Sequence, residues 1–418
     1  MTDVLHSHIA VVGAGHAGGR IVQNLRSLGH RGKITLIGNE AHAPYERPPL
    51  SKAWLTEATV PSVTLEPASF WTEDALAASN IEFVNDAVVR LDVEKRVLHL
   101  QSGREVQFDQ MVIATGGVPR NGEIPGADLA GVHVLRSIND SVMIREALSK
   151  SRGIAIIGAG VIGMEVASSA LSMNASVTVI EGGPRILSRG MTPSLGKWLA
   201  NKYEDRGARI ETNVSVSGIE RGVDGLVVRC QRNGGQSFEV AADTVLIAIG
   251  VDCNPAFLDG TGIGGATGVK VDECCRVDSM PWLFAAGDVA HVIHSSEKDS
   301  GGVRLETWRN AEKQAKTVAR NLLGATEVYK ETPWMWTDLL GYNIQVVGSL
   351  RDGADEVVRG LPDEGPASIL LVRDGIVQGG VLINQGRERR FLEGLVESRK
   401  PVDRMKLADP AIALKSFV

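Results

Sequence analysis

Short apolar runs that stop abruptly at glycine recur along this chain. Ile9 to Val12 (IAVV) ends at Gly13-Ala14-Gly15-His16-Ala17-Gly18, and apolar residues return at helical spacing at Ile21, Leu25 and Leu28. The pattern predicts a strand, a tight turn and a helix. Glycine at the first place makes the turn, at the second lets the backbone approach a phosphate, and at the third lets helix and strand pack closely. The construction repeats at Ile154 (IAIIGAGVIGMEVA), with Gly158, Gly160 and Gly163 in the same places and Val161 and Ile162 opening the second helix. One such turn carries little weight; two on one chain imply two dinucleotide sites, each with its pyrophosphate at a helix N-terminus.

Each glycine turn leads to a further strand ending near an acid. Lys33 to Gly38 is followed by Asn39 and Glu40, and Ala175 to Ile180 by Glu181, 18 residues after Gly163. A carboxylate at that place accepts hydrogen bonds from a ribose diol and repels a 2′-phosphate, so the second site favours NAD over NADP, with Arg185 the nearest base that could soften the preference. Glu40 reads either as a ribose ligand or as an exposed loop carboxylate. Glu165 reads as an acid in the first turn of the second helix, complementing its dipole. Between the two units, Pro44 to Lys52 (PYERPPLSK) reads as a rigid extended segment holding Arg47 and Lys52. Composition alone does not separate that reading from a surface loop with two solvated bases.

Three more apolar strands stop at small residues: Met111 to Ala114 before Thr115-Gly116-Gly117, Thr244 to Ala248 before Ile249-Gly250, and Leu283 to Ala286 before Gly287-Asp288. Taken without context, Asp288 reads as a helix N-cap. Short alternating strands fill Ile81 to Leu100 and Ala208 to Val240. Helices are predicted from Ser137 to Lys150 and from Arg304, through Glu306, Thr307 and Trp308, to Leu323. The last 90 or so residues change character. Trp334 and Trp336 open a segment with strands at Ala367 to Arg373 and Ile376 to Leu382 about an Asp374-Gly375 hairpin turn, then a helix from Glu388 to Ser398. Burial is expected for both tryptophans.

The chain of 418 residues, 43% hydrophobic and 22% charged, is too long for one core and has ordinary globular composition. No apolar run approaches the ~20 residues of a membrane span, and the N-terminus lacks the pattern of a signal peptide, so the cytoplasm is the default setting. A net charge of −6 argues against nucleic acid as the main partner. The four cysteines, Cys230, Cys253, Cys274 and Cys275, form no CxxC and have no metal-ligand spacing, so free thiols are expected and no metal site is read.

Taken together, RPPLSK, ATGGVPR, GVIGMEVA, FAAGDVA, LETWRNA and WMWTD resemble the FAD-dependent NADH:ferredoxin reductases that serve bacterial aromatic-ring dioxygenases and cytochrome P450 systems, over nearly the whole chain. The resemblance implies an α/β fold with two Rossmann-like dinucleotide-binding domains and a C-terminal α+β domain. The FAD domain is discontinuous (1–115 and 244–325), the NAD domain spans 116–243 and the last domain 326–418. It implies FAD contacts from Gly13, Gly15, His16, Ala17, Gly18, Glu40, Arg47, Lys52, Ala114, Thr115, Gly116, Gly287 and Asp288, with Glu306, Thr307 and Trp308 near the isoalloxazine. NADH contacts would come from Gly158, Gly160, Val161, Ile162, Gly163, Glu165 and Glu181, with Ala248, Ile249 and Gly250 at the nicotinamide end. Lys52 and Glu165 would be the catalytic pair. One departure is Asn39, where relatives commonly carry aspartate. The implied partner is a [2Fe–2S] ferredoxin, with Arg387, Arg389, Arg390 and Arg309 as docking candidates, equally readable as a solvated charge run. Monomer and homodimer both stay open. The competing readings are an NADH oxidase or peroxidase, whose redox cysteine would fall in the N-terminal segment where this chain has none, and a redox-sensing flavoprotein similar to apoptosis-inducing factor.

Overall fold

The computed structural model describes residues 4–57, 69–151, 153–294, 302–350 and 353–418. The chain divides into two compact units: Met1–Pro48 with Pro61–Val118 and Val251–Glu331, and Pro49–Val60 with Pro119–Gly250 and Thr332–Val418.

The first unit is built on a parallel sheet in the order Leu283–Ala285, Gln110–Ile113, Ile9–Val12, Ile34–Gly38, Ile81–Asn85. The chain winds outward from the central strand in one direction and then resumes on its other side, so Gly13 emerges where the strand order reverses, the place where open α/β sheets bind ligands. Ile9, Val11, Leu36, Met111 and Phe284 are fully enclosed in the core. The helix His16–Ser27 buries Ala17, Gly18, Ile21, Val22 and Leu25. It stops one residue short of the expected apolar face: Leu28 is the C-cap and is 42% exposed.

The second unit repeats the plan. Its parallel sheet runs Arg209–Glu211, Ser176–Ile180, Gly153–Ile157, Thr244–Ile247, Val132–His133, and Gly158 stands at the equivalent reversal. The helix Ile138–Lys150 starts at Ser137 with a capping box closed by Asp140. In the same unit an antiparallel sheet, Trp334–Leu339, Tyr342–Gly348, Ile376–Ile383, Ala367–Arg373, Asp355–Arg359, packs the helix Arg389–Ser398 through Leu392 and Leu395. Asp374 and Gly375 both take positive φ (52° and 74°), as a two-residue hairpin of right-handed twist requires.

Four expectations change. Pro48–Ser51 is a turn of 3-10 helix followed by the helix Ala53–Thr56, not an extended rail; proline's fixed φ suits a helix start as well as an extended chain. Asp288 caps no helix, since the strand Ala290–Val292 follows it. The helix expected from Arg304 begins at Trp308, with the Thr307 hydroxyl accepting from the Asn310 amide at 3.2 Å. Trp334 and Trp336 are half-buried rather than enclosed, and stack on each other at 5.2 Å.

Burial holds the imidazoles of His8, His30 and His133 below their ordinary range, helped by the charges of Lys33 at His8 and Arg26 at His30. His30 is 2% exposed, and its two ring nitrogens have no hydrogen-bond partner among the described residues. Each group takes up a proton more readily in the unfolded chain. Its stabilising contribution is therefore complete above about pH 6.5 and is lost as pH falls toward the depressed folded value. Urea midpoints should fall between pH 7 and pH 5, and a His30→Gln protein should show a smaller fall; equal slopes would remove His30 from the account.

Candidate functional site: two nucleotide cradles and a buried ion pair

In the first unit Gly13 takes φ +114°, and a Cβ there would collide with the Ala114 carbonyl and approach the Thr115 amide. A Cβ on Gly18 would in turn strike the Gly13 carbonyl. The helix behind this turn has no side-chain cap at Gly15, whereas the helices beginning after Ser137, Thr192 and Thr307 are each capped by a hydroxyl. Its first amides are left to an anion.

All but Lys52 of the other residues expected beside a flavin nucleotide fall in this unit. Arg47 Nη2 lies 2.6 Å from Glu40 Oε1, and the Tyr45 hydroxyl donates to the other Glu40 oxygen. Burial works against the Arg47 charge, but Tyr45, Glu40 and Asp288 outweigh it and raise its pKa. The Gly287 amide donates to Gln314 Oε1 at 2.7 Å, and a Cβ on Gly287 would meet Ala17. Glu306 pairs with Arg304 at 2.7 Å. The rings of His16 and Trp308 lie 5.1 Å apart, and His16 Nε2 is 2.8 Å from Glu312 Oε1. His16 Nδ1 and Thr115 Oγ1 are buried with no partner among the described residues. Orphaned polar atoms around an uncapped helix start are what a polar ligand would satisfy.

The second unit holds the matching cradle. Gly158 has φ +103°, with the Ala248 carbonyl oxygen 2.5 Å from where a Cβ would stand. Gly160 is an uncapped N-cap, and Val161, Ile162 and Gly163 form the first turn. Glu181 accepts from the Ala159 and Gly183 amides, 2.7 Å each, which fixes its carboxylate at the mouth of the turn. Arg185 folds back onto the carbonyls of its own loop, with the Ser188 oxygen at 3.1 Å, and Ile249 and Gly250 continue from the strand beside the turn.

Glu165 meets Lys52, as the family resemblance implies, but not from the first turn of a helix. Its helix begins at Val161, so it falls past the first turn, and it is 5% exposed. Its Oε1 lies 2.8 Å from Lys52 Nζ and accepts from Thr337 Oγ1 at 2.6 Å, while Oε2 accepts from the Ser51 hydroxyl. Lys52 thus belongs to the unit that carries the second cradle. Ser51 and Thr337 were not singled out from the sequence, although both stand inside quoted motifs, PPLSK and WMWTD. None of the four cysteines is in a disulfide; burial pushes the Cys230 thiol up to about 11 and raises Cys275 further.

Residues 7–315 match the pyridine nucleotide-disulphide oxidoreductase model, and residues 334–418 match the reductase C-terminal model. The chain is 34% identical over 414 residues to the benzene 1,2-dioxygenase system ferredoxin–NAD(+) reductase subunit of Pseudomonas putida, covering 99% of this chain and 98% of that one. The chain belongs to the FAD-dependent ferredoxin reductases. The ferredoxin reductase for the CYP199A2 system of Rhodopseudomonas palustris superposes with a TM-score of 0.89 at 30% identity, over 98% of this chain and 99% of that one. Putidaredoxin reductase in its covalent complex with putidaredoxin superposes with a TM-score of 0.87 at 29% identity, over 98% of each chain. A water-forming NADH oxidase from Lactobacillus brevis, at 19% identity and a TM-score of 0.83, shares the fold alone. This reductase uses FAD and NAD(H), and both cradles fit such dinucleotides. Among its described residues no helix is long and apolar enough to cross a membrane.

Proposed function

We propose that this reductase takes electrons from NADH onto FAD and delivers them singly to a [2Fe–2S] ferredoxin that feeds an oxygenase. One NADH and two oxidised ferredoxins give NAD⁺, a proton and two reduced ferredoxins. When bound, FAD supplies the step the protein cannot, accepting an electron pair and releasing electrons one at a time. Residues 1–115 and 251–325 are assigned to the FAD domain, 116–250 to the NAD domain and 326–418 to the C-terminal domain; the boundary expected at 244 moves because the strand Thr244–Ile247 pairs with Gly153–Ile157 in the second unit's sheet. Gly13, Gly15, His16, Ala17 and Gly18 hold the FAD pyrophosphate, while Arg47, Ala114, Thr115, Gly116, Gly287 and Asp288 line the rest of that nucleotide. Glu181 takes the NADH ribose. Arg185, engaged with its own loop, leaves the preference for NADH over NADPH intact. The Lys52–Glu165 pair serves the hydride step. A cytoplasmic setting suits NADH and four cysteines without a disulfide.

The observation that carries this reading is a pair of uncapped glycine turns of one geometry in a chain whose four cysteines form no disulfide. Two such turns suit two nucleotides, and the chain has no CxxC to serve as the next acceptor. Mixing the holoenzyme anaerobically with NADH and a ferredoxin from the same genome should bleach the iron–sulfur band. Rapid oxygen consumption in air with no bleaching would favour an oxidase instead.

For docking, Arg389 is paired with Glu393 at 2.6 Å and Arg309 with Glu331 at 2.5 Å. Arg387 and Arg390 are exposed, with no carboxylate within 4 Å among the described residues, and Arg389 lies over the ring of Trp334 at 5.0 Å. These two exposed cations are the better candidates for an acidic ferredoxin. Raising salt from 50 to 300 mM should slow ferredoxin reduction several-fold and leave ferricyanide reduction unchanged, and Arg387→Ala with Arg390→Ala should flatten that dependence. Equal salt slopes in both assays would remove the patch from consideration.

A further inference from the structure

The Lys52–Glu165 pair has more hydrogen-bond donors than an ion pair needs. A carboxylate buried to 5% exposure is costly unless both oxygens are satisfied, and the Lys52 ammonium meets Oε1 at 2.8 Å. Two hydroxyls supply the rest: Thr337 on Oε1 and Ser51 on Oε2. With hydroxyls on both oxygens, the carboxylate that meets the Lys52 ammonium has a fixed orientation.

Both donors are themselves fixed. Thr337 is fully enclosed and sits inside the strand Trp334–Leu339, paired opposite Ile344, so its oxygen is placed by a sheet rather than by a loop. Alternation along that strand sends Trp334, Trp336 and Asp338 to the other face. Ser51 is held through its own carbonyl, which accepts from Ser169 Oγ at 2.7 Å, while the Leu50 carbonyl accepts from Ser141 Oγ at 2.7 Å. The short turn carrying Ser51 and Lys52 is thus pinned to two helices of its own unit.

We infer that Thr337 and Ser51 are positioning residues for hydride transfer, holding the Glu165 carboxylate so that it holds the Lys52 ammonium, and that the C-terminal domain thereby takes part in the reaction with NADH. This rests on the assignment of the Lys52–Glu165 pair to the hydride step. Lys52 is the one cation within 4 Å of Glu165 among the described residues. Tyr203 feels the Glu165 charge, but its phenol donates to the Met164 carbonyl at 2.6 Å and is kept neutral by burial and then by that charge, with Arg206 acting against it. Without the Thr337 hydroxyl, Oε1 depends on a long, flexible lysine alone.

The test is anaerobic rapid mixing of holoenzyme with NADH, together with the midpoint potential of the bound flavin. Thr337→Val keeps the shape and removes the hydroxyl. It should lower the limiting rate of flavin bleaching about tenfold, with the NADH Kd changed less than about twofold, and move the potential in the direction that Lys52→Met moves it. Thr337→Ser should restore both. In a Glu165→Gln background, Thr337→Val should add less than about twofold. Equal slowing by Val and Ser, an undiminished effect in the Gln background, or a wild-type rate for Thr337→Val beside a slow Glu165→Gln would each overturn the inference. A Glu165→Gln protein with wild-type rate and potential would instead overturn the assignment of the pair and take this inference with it. Should Thr337→Val not fold, Ser51→Ala with Ser51→Thr as its rescue carries the same comparison.

Discussion

A Gly158→Ala protein is expected to stay yellow yet to lose about a hundredfold in kcat/KM for NADH. At φ +103° an L side chain is already strained, and its Cβ would stand 2.5 Å from the Ala248 carbonyl oxygen and 2.8 Å from the carbonyl carbon. Either the turn or the end of the strand Thr244–Ile247 must therefore move. Both carry groups proposed to hold NADH: the amides at Gly160 and Val161 on one side, and Ala248, Ile249 and Gly250 on the other. The residues proposed to hold FAD in the first cradle belong to the other unit, so dithionite should bleach the variant as it does the parent. The measurement is anaerobic bleaching with NADH and with dithionite in parallel, with FAD content determined on the same sample. Bleaching by NADH at the parent's rate would mean that this turn is not where NADH is held; loss of FAD would mean that the damage spreads beyond it.

The same turns explain why so much of the fold was legible in the sequence. Gly13 and Gly158 are places where the backbone itself excludes every other residue, and such a constraint is local and visible in one dimension. The parallel strands around them are short, apolar and stopped by small residues, which periodicity also records. The misreadings share the opposite property. Glu165 looked like an acid in the first turn of a helix because sequence neighbours alone define that reading; its actual partners lie 114 and 172 residues away. Asp288 looked like a cap because the strand after it is only three residues long. The prolines at 48 and 49 fix φ without fixing ψ, so they were compatible with an extended rail and with the 3-10 turn that forms. Gathering Arg47, Glu40 and Asp288 around one helix start is likewise tertiary information, available beforehand only through family resemblance.

Arg359 illustrates that limit most sharply, and Arg359→Ala should cost about 2–4 kcal/mol of unfolding free energy. An isolated arginine at the end of a strand reads as a surface residue. In the structure it is 5% exposed and donates through its two terminal nitrogens to the carbonyls of Leu407 and Ile412, 48 and 53 residues on. It thereby ties the helix Arg404–Ala408 and the chain after it to the strand Asp355–Arg359, while Leu407 and Leu414 complete the apolar layer of the same domain. No carboxylate lies within 4 Å of it among the described residues; burial lowers its pKa, and only the more distant Glu388 and Asp409 act against that. Truncation to alanine leaves two carbonyls without donors and a hole beneath the tail. Methionine refills the hole and removes the buried charge but supplies no donor, so it should recover part of the loss; lysine, with one compact ammonium, cannot span both oxygens and should recover little. Urea unfolding ranks the three, and limited proteolysis should show the alanine protein cut first within 400–418. An alanine protein within about 0.5 kcal/mol of the parent would mean that the tail is held by Leu407 and Leu414 alone and that the guanidinium is incidental to it.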